Sequence, residues 1–572
     1  MKMNVRRWRA WALVGVMGSG WCAAAVKEQE QAPASPAAPP ESPENQPAQP
    51  ITPEQPQQPT IDISQIPVQV RLGLRVELVR RQVPVSPTLI IVDSPAAYVE
   101  QIGKWSLQLR WPVLIDDGSA LAAENIARFV RAFEPKAVYR AASKEEWPKD
   151  APAVRERIEH AACAPWGGNN REERHTAWKK LEFAPPGVVV ISEEDPAWTA
   201  GLALAAGHGQ EIVWLKIGRD CVSCVMAPEA ANDLCSRIER GVSETPYSWR
   251  ALGDEIETVT LCASVAGRIN TSAGEMALTD RIGRSESGER WAWCGMIIGD
   301  EASAAYRAMG SLFIQPKSAW LFDGYKPDFA PPFRLAPAAE LLAKAGLQLT
   351  SAPIGRTGVD DWRSAVRRGV RGGIVEVNSA GMPESFNLNP GTADYADVPM
   401  MLEPSVVHFI HSFSAQRPDD PSTIAGRFLT NGAFAYVGSM NEPYLGAFQP
   451  PERFTMRLLG QCPIGIAGRL DGFKLWKITV IGDPLWTLGP PAPRVEAALD
   501  RGEMRSVEDE MRDGLREKKY GAAARALVML GRDGDALRIG KAVLKDEPKA
   551  LTPELARILV PVTFREGDAA LL

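Results

Sequence analysis

Between Ser405 and Tyr444 the chain gathers His408, His411, Ser412, Ser414, Asp419, Asp420, Ser439 and Glu442. These are the residue types of nucleophilic hydrolysis, in which an imidazole takes the proton of a hydroxyl and a carboxylate orients the ring. Ser412 or Ser414 would be the nucleophile, His408 or His411 the base, and Asp419 or Glu442 the orienting group. Adjacent residues on an extended strand point to opposite faces, so His411 is badly placed to serve Ser412. Ser439 or Glu442, at the end of a neighbouring strand, is the better-placed partner for His411. The structural alternative, which is favoured, has Ser412 and Ser414 satisfying backbone groups where a strand runs into its loop, with His408 a core or interface histidine. A carboxylate pair is a second chemistry, with candidates Asp323, Glu376, Glu384, Glu442 and Asp483. Of these, Glu376 falls inside a strand and Asp483 in a turn, so structural roles are favoured for both.

The elements that must position these residues are legible as apolar runs. Val406, Val407, Phe409 and Ile410 form one buried strand, and 433–437 form another. A short helix ending at Asn431-Gly432 lies between them, which makes a right-handed βαβ crossover in a parallel sheet. Further runs at 259–265, 291–298, 318–322, 373–377 and 476–481 alternate with helical patterns such as 337–345 and 359–369. Upstream, Thr88–Val92, 111–115 and 187–192 end in acidic residues expected to cap the helices that follow. The fold class is therefore α/β, with mostly parallel sheets flanked by helices. Ligands in such sheets gather beyond the carboxyl ends of the strands.

The order of elements from Gly372 to Trp486 resembles the caspase-like fold, specifically the gingipain-type cysteine peptidases and their non-peptidase relatives. Three pieces carry the resemblance: 372–381 with Phe386-Asn387-Leu388 following; 405–414 with 423–429 and 432–439; and 480–486, which contains Gly482-Asp483-Pro484. Asn441 to Leu445 with the last segment is also similar to a group of exported bacterial proteins of this fold. The resemblance implies a thiolate at the end of the 405–410 strand and an imidazole before the glycine of 379–381. This sequence has His411-Ser412-Phe413-Ser414 and Ser379-Ala380-Gly381 at those places, so the implied dyad is degenerate. The expected function is that of an exported, non-catalytic relative binding a peptide or envelope polymer. Its contacts would come from Ser379, Gly381, His411, Ser414, Arg417, Ser439 and Glu442. An active hydrolase using serine or a carboxylate pair, and a structural or assembly protein of the cell envelope, are the alternatives.

The remaining features bound these readings. Lys2, Arg6, Arg7 and Arg9, the apolar stretch 11–21 and Ala23-Ala24-Ala25 form a signal peptide over 1–25, favoured over a lipidated Cys22. A Pro-rich linker follows over 26–60, then an α/β domain over 61–241, a caspase-like α/β domain over 242–490, and a helical appendage over 491–572 of two or three helices. The expected location is periplasmic or extracellular, with no transmembrane segment in the mature chain. A net charge of -6 gives no case for nucleic acid. No cofactor or metal is expected, since 5 histidines are scattered along the chain. His208 is expected at a helix C-cap. Cys163, Cys221, Cys224, Cys235, Cys262, Cys294 and Cys462 form an odd set for an oxidising compartment, with a disulfide from Cys221 or Cys224 to Cys235 favoured over a redox pair.

Overall fold

The computed structural model describes residues 65–217, 221–351, 355–470, 472, 474–496, 499, 502, 504–568 and 571. The signal-like segment and the whole Pro-rich stretch lie outside the described residues. The chain divides into positions 1–67 and the compact unit Val68–Leu572, which contains the sheets and the core.

The centre of that unit is a ten-stranded sheet, and its apolar runs are buried on both faces, as expected for strands covered by helices on either side. In spatial order the strands are Gln348–Ser351, Ser318–Asp323, Ile374–Asn378, Ser405–Ile410, Ala433–Ser439, Ile478–Ile481, Trp293–Ile297, Thr258–Cys262, Val188–Ile191 and Glu211–Trp214. The first five run parallel to one another. Ile478–Ile481 then runs antiparallel to Ala433–Ser439, Val437 facing Val480, and the remaining four strands follow its direction. The sheet therefore has carboxyl ends on both of its edges. The division expected at 241 falls inside this sheet, because Val188–Ile191 pairs along its length with Thr258–Cys262.

Alternation along each strand divides the core. Val406 and Ile410 enter one apolar cluster, while Val407 and Phe409 enter another. The first cluster includes two helices, Trp198–His208 and Glu301–Phe313, which pack against each other on that face of the sheet. Asp300 caps the second of these, accepting from Ser303 N at 2.6 Å. Beyond them lies a four-stranded sheet in which Thr88–Val92 sits between the parallel strands Val113–Ile115 and Ala137–Ala141. The opposite face of the large sheet is covered by helices that include Pro228–Ser243, Val359–Val366 and Ile424–Thr430.

The C-terminal region contains four helices longer than one turn, Val507–Arg516, Tyr520–Met529, Asp533–Asp546 and Pro553–Glu566, more than the two or three expected. It also returns a short strand, Arg505–Ser506, to the small sheet, antiparallel to Ala137–Ala141. Buried charge anchors it to the body. Arg565 binds Glu124 at 2.6 Å and Asp533 at 2.9 Å, and Arg525 and Arg140 both bind Asp116. The cap expected of Asp116 is supplied instead by Ser119, whose side chain accepts from Ala122 N. Among the described residues no helix is long and apolar enough to cross a membrane.

Candidate functional site

The carboxyl ends of Ile374–Asn378, Ser405–Ile410 and Ala433–Ser439 share one edge of the sheet. Asn378 ends the first and fastens the neighbouring loop, its side chain accepting from Gly324 N at 2.7 Å and donating to Phe333 O at 2.7 Å. The chain then folds into a three-stranded antiparallel sheet, Ala380–Met382, Ser385–Asn387 and Thr392–Asp394, which stands over the strand ends. Strands this short carry almost no sequence signal, and nothing in the residue pattern announces this small sheet.

His411 lies one residue past its strand, on the same face as Phe409, whose ring meets it edge-on at 5.4 Å. Its Nε2 donates to Met382 O at 3.0 Å, and Nδ1 has no partner among the described residues. Gly381 makes this packing possible. A Cβ there would stand 2.4 Å from Ser385 O and 2.9 Å from His411 Cε1, on a backbone at φ +156°. The ring is 1% exposed. Burial brings its pKa down to about 4, outweighing the Met382 carbonyl and the charge of Glu442, so the imidazole is neutral at pH 7.

Ser412 lies in the turn that follows the strand and points elsewhere. Its Oγ donates to Glu442 Oε1 at 2.8 Å, and the same oxygen accepts from Tyr444 N at 2.9 Å. Lys477 Nζ donates to the Glu442 carbonyl at 2.7 Å and fixes that loop. The contact made across the strand ends is therefore serine to glutamate. His411 binds neither Ser439 nor Glu442 directly, and a backbone carbonyl holds its ring. A carboxylate is a poor base for an alcohol at neutral pH, because its proton affinity is far from matched to the task.

The other expected site residues have structural partners. Ser414 is fully buried and its Oγ accepts from Ser439 N at 3.4 Å. The Ser439 hydroxyl turns to Asn441 O. Ser379 is buried and donates to Asn387 O at 2.8 Å. Arg417 pairs with Glu384 and lies 3.5 Å from Asp420, clamping its loop to the turn of the small sheet. Asp419 accepts from Ser223 and has no role at the imidazole.

Of the carboxylate candidates, Asp323 pairs with Arg334 at 2.9 Å. Glu376 accepts from Thr455 Oγ1 at 2.7 Å and lies 3.9 Å from His408 Nδ1 on the sheet face away from His411. His408 stacks on Phe454 with centroids 4.1 Å apart, as a core histidine would. Asp483 accepts from His208 Nε2 at 2.9 Å, Ser311 Oγ at 2.5 Å and Leu485 N at 3.0 Å. His208 does close its helix, with Gly209 at φ +72° as the cap, but its bond to Asp483 spans 275 positions and has no local signal.

The cysteine expectation is corrected. Cys221 and Cys224 are disulfide-bonded to each other, and Cys235 is free and buried. Cys235 faces the core from helix Pro228–Ser243, while Cys221 and Cys224 sit at the surface. Burial pushes the Cys235 thiol up to about 11 and the Cys294 thiol up to about 12, so neither is a thiolate at pH 7. Among the described residues no cluster of His, Cys, Asp and Glu is arranged to hold a metal ion.

Near these strand ends three large apolar side chains are exposed. Met382 is 56% exposed, Tyr444 79% and Phe329 53%. Phe329 packs edge-on against Tyr325 at 5.1 Å, and the Tyr325 hydroxyl donates to Ser379 O at 2.9 Å. Burial raises the Tyr325 phenol's pKa, and the charges of Asp323 and Glu442 add to it.

No family model matches the chain, and no curated protein matches it. Among solved structures it is similar to the crystal structure of the Arg-specific cysteine proteinase gingipain R (RGPB), with 12% identity and a TM-score of 0.38 over 53% of this chain and 78% of that one. It is also similar to the complex of Porphyromonas gingivalis RgpB pro- and mature domains, with 12% identity and a TM-score of 0.35 over 53% and 79%. Both similarities are remote in sequence and in geometry.

Proposed function

We propose that this chain is an exported, non-catalytic protein of caspase-like, gingipain-type architecture, whose crevice beyond Asn378, Ile410 and Ser439 binds an extended peptide. One observation supports this above the others. The Ser412 hydroxyl is committed to Glu442, while the imidazole at that edge, His411, is buried and turned to a main-chain carbonyl. A hydroxyl without a base is not a nucleophile at neutral pH. The rim favours a peptide: Ala380–Met382 is the outer strand of its small sheet, and Met382, Tyr444 and Phe329 offer apolar contacts beside Glu442. Extended peptides pair with such edges through main-chain hydrogen bonds and draw specificity from alternate side chains.

Hydrogen exchange by mass spectrometry, with and without a pool of defined peptides, tests the reading. Binding is expected to protect amides in 380–387 and 411–444, and the protection is expected to vanish in Met382→Asp/Tyr444→Ala. Protection confined to other segments, or cleavage of the pool, would overturn it.

A further inference from the structure

A second site lies far from the crevice, under the helix Val68–Gln82. There the side chains of Arg80, Arg110, His208, Ser311, Trp486 and Thr487 enclose a cavity of about 30 Å³. That is room for a monatomic ion or one or two waters and too little for a tetrahedral oxyanion. The polar atoms around it are unusual in sign. Arg110 is 6% exposed and donates one Nη to Gly207 O, but its Nε and second Nη have no partner among the described residues. Arg80 Nε and the Trp486 indole N–H, which line the same space, are also unpartnered among those residues. All four atoms are donors.

We propose that this cavity binds a halide ion, chloride under physiological conditions. A buried donor without an acceptor is costly and an unpaired buried charge more so, which favours an acceptor in a cavity lined by residues that carry four unpartnered donors. Of the two carboxylates in this region, Glu77 keeps its Oε2 without a hydrogen-bond partner among the described residues, 3.7 Å from Arg81 Nε. Glu77 accepts from Thr487 Oγ1 at 2.6 Å and pairs with Arg80 and Arg81; Asp483 is held by His208 and Ser311. Arg110 is left without a counter-charge, and burial alone draws its pKa down to about 9. A water could answer some of the donors, and the Trp166 ring 5.5 Å from the Arg110 guanidinium answers part of its charge, but an anion answers both. Val76, Val79, Val83, Leu312 and Phe313 make the rest of the lining apolar, and a low local dielectric strengthens the attraction.

The full-length protein, transferred to sodium gluconate at constant ionic strength, is titrated with sodium chloride and with sodium bromide while Tm is followed. A saturable rise of about 2 °C is expected for both halides and none for sulfate. Arg110→Met is expected to abolish the saturable part. Should that variant fail to fold, crystals of the unchanged protein grown in bromide give the answer: an anomalous peak beside the Arg110 guanidinium is expected. A cavity holding only water in those crystals, a linear response to all salts, or an undiminished halide effect in Arg110→Met would overturn the proposal.

Discussion

Replacing His411 by glutamine should change how the protein responds to acid more than it changes stability at neutral pH. Burial holds the imidazole at about 4, against 6.5 for the exposed ring in the unfolded chain. At pH 7 both states carry a neutral ring and the group contributes nothing through titration. As pH falls below 6.5 the unfolded chain takes up a proton that the folded one refuses, so stability drops until the folded ring also protonates near pH 4. At about 1.4 kcal/mol for each tenfold difference in proton affinity, the loss across that window is about 3 kcal/mol. Glutamine keeps a donor for the Met382 carbonyl but cannot titrate, and should cost about 1–2 kcal/mol at pH 7 through imperfect packing. Urea unfolding of both proteins at intervals from pH 7 to 4 reads the difference directly, since every other titrating group cancels in the comparison. The gap should close by pH 5 and reverse in favour of the variant by pH 4. Parallel curves would mean that His411 titrates normally, and therefore that it is accessible and available as a base.

Other substitutions probe the packing, the buried charge and the cysteines. Gly381→Ala should destabilise by about 2–4 kcal/mol and raise the His411 pKa, because the new methyl collides with Ser385 O and wedges the ring outward; unfolding and a histidine NMR titration check both effects. Arg565→Leu leaves Glu124 and Asp533 buried without their shared cation and should cost about 3–5 kcal/mol, seen in Tm and in proteolytic release of the C-terminal helices. Lys317→Ala removes only an exposed pair with Glu134 and should change stability by less than about 1 kcal/mol. Alkylation of the native protein should leave Cys163, Cys235, Cys262, Cys294 and Cys462 unlabelled until denaturant is added, and peptide mapping should recover Cys221 linked to Cys224.

The strand and helix alternation from Thr258 to Ile481 is legible because apolar runs covered on both faces stand out from amphipathic helices, and the Ser405–Ser439 crossover has the form expected of it. Direction and partnership are less legible. An apolar run such as Ile478–Ile481 looks the same whichever way it enters a sheet, so the reversal at that strand leaves no mark in the residue pattern. Nothing local to Val188–Ile191 announces that its partner begins at Thr258. At the site, the face that His411 shares with Phe409 follows from alternation, whereas the direction of Ser412 is set by the turn after the strand and the clamp of Arg417 on Glu384 depends on a small sheet of three-residue strands. The disulfide departs from expectation because helix Pro228–Ser243 turns Cys235 into the core, and that orientation is set by which face packs on the sheet.

Whether this edge of the sheet presents a hydroxyl with no base to activate it is read most directly by incubating the purified protein with a broad peptide library from pH 5 to 9 and identifying new termini by mass spectrometry. The library should emerge intact at every pH. Sequence-specific cleavage that disappears in Ser412→Ala would show instead that the hydroxyl is activated and the crevice cuts what it binds.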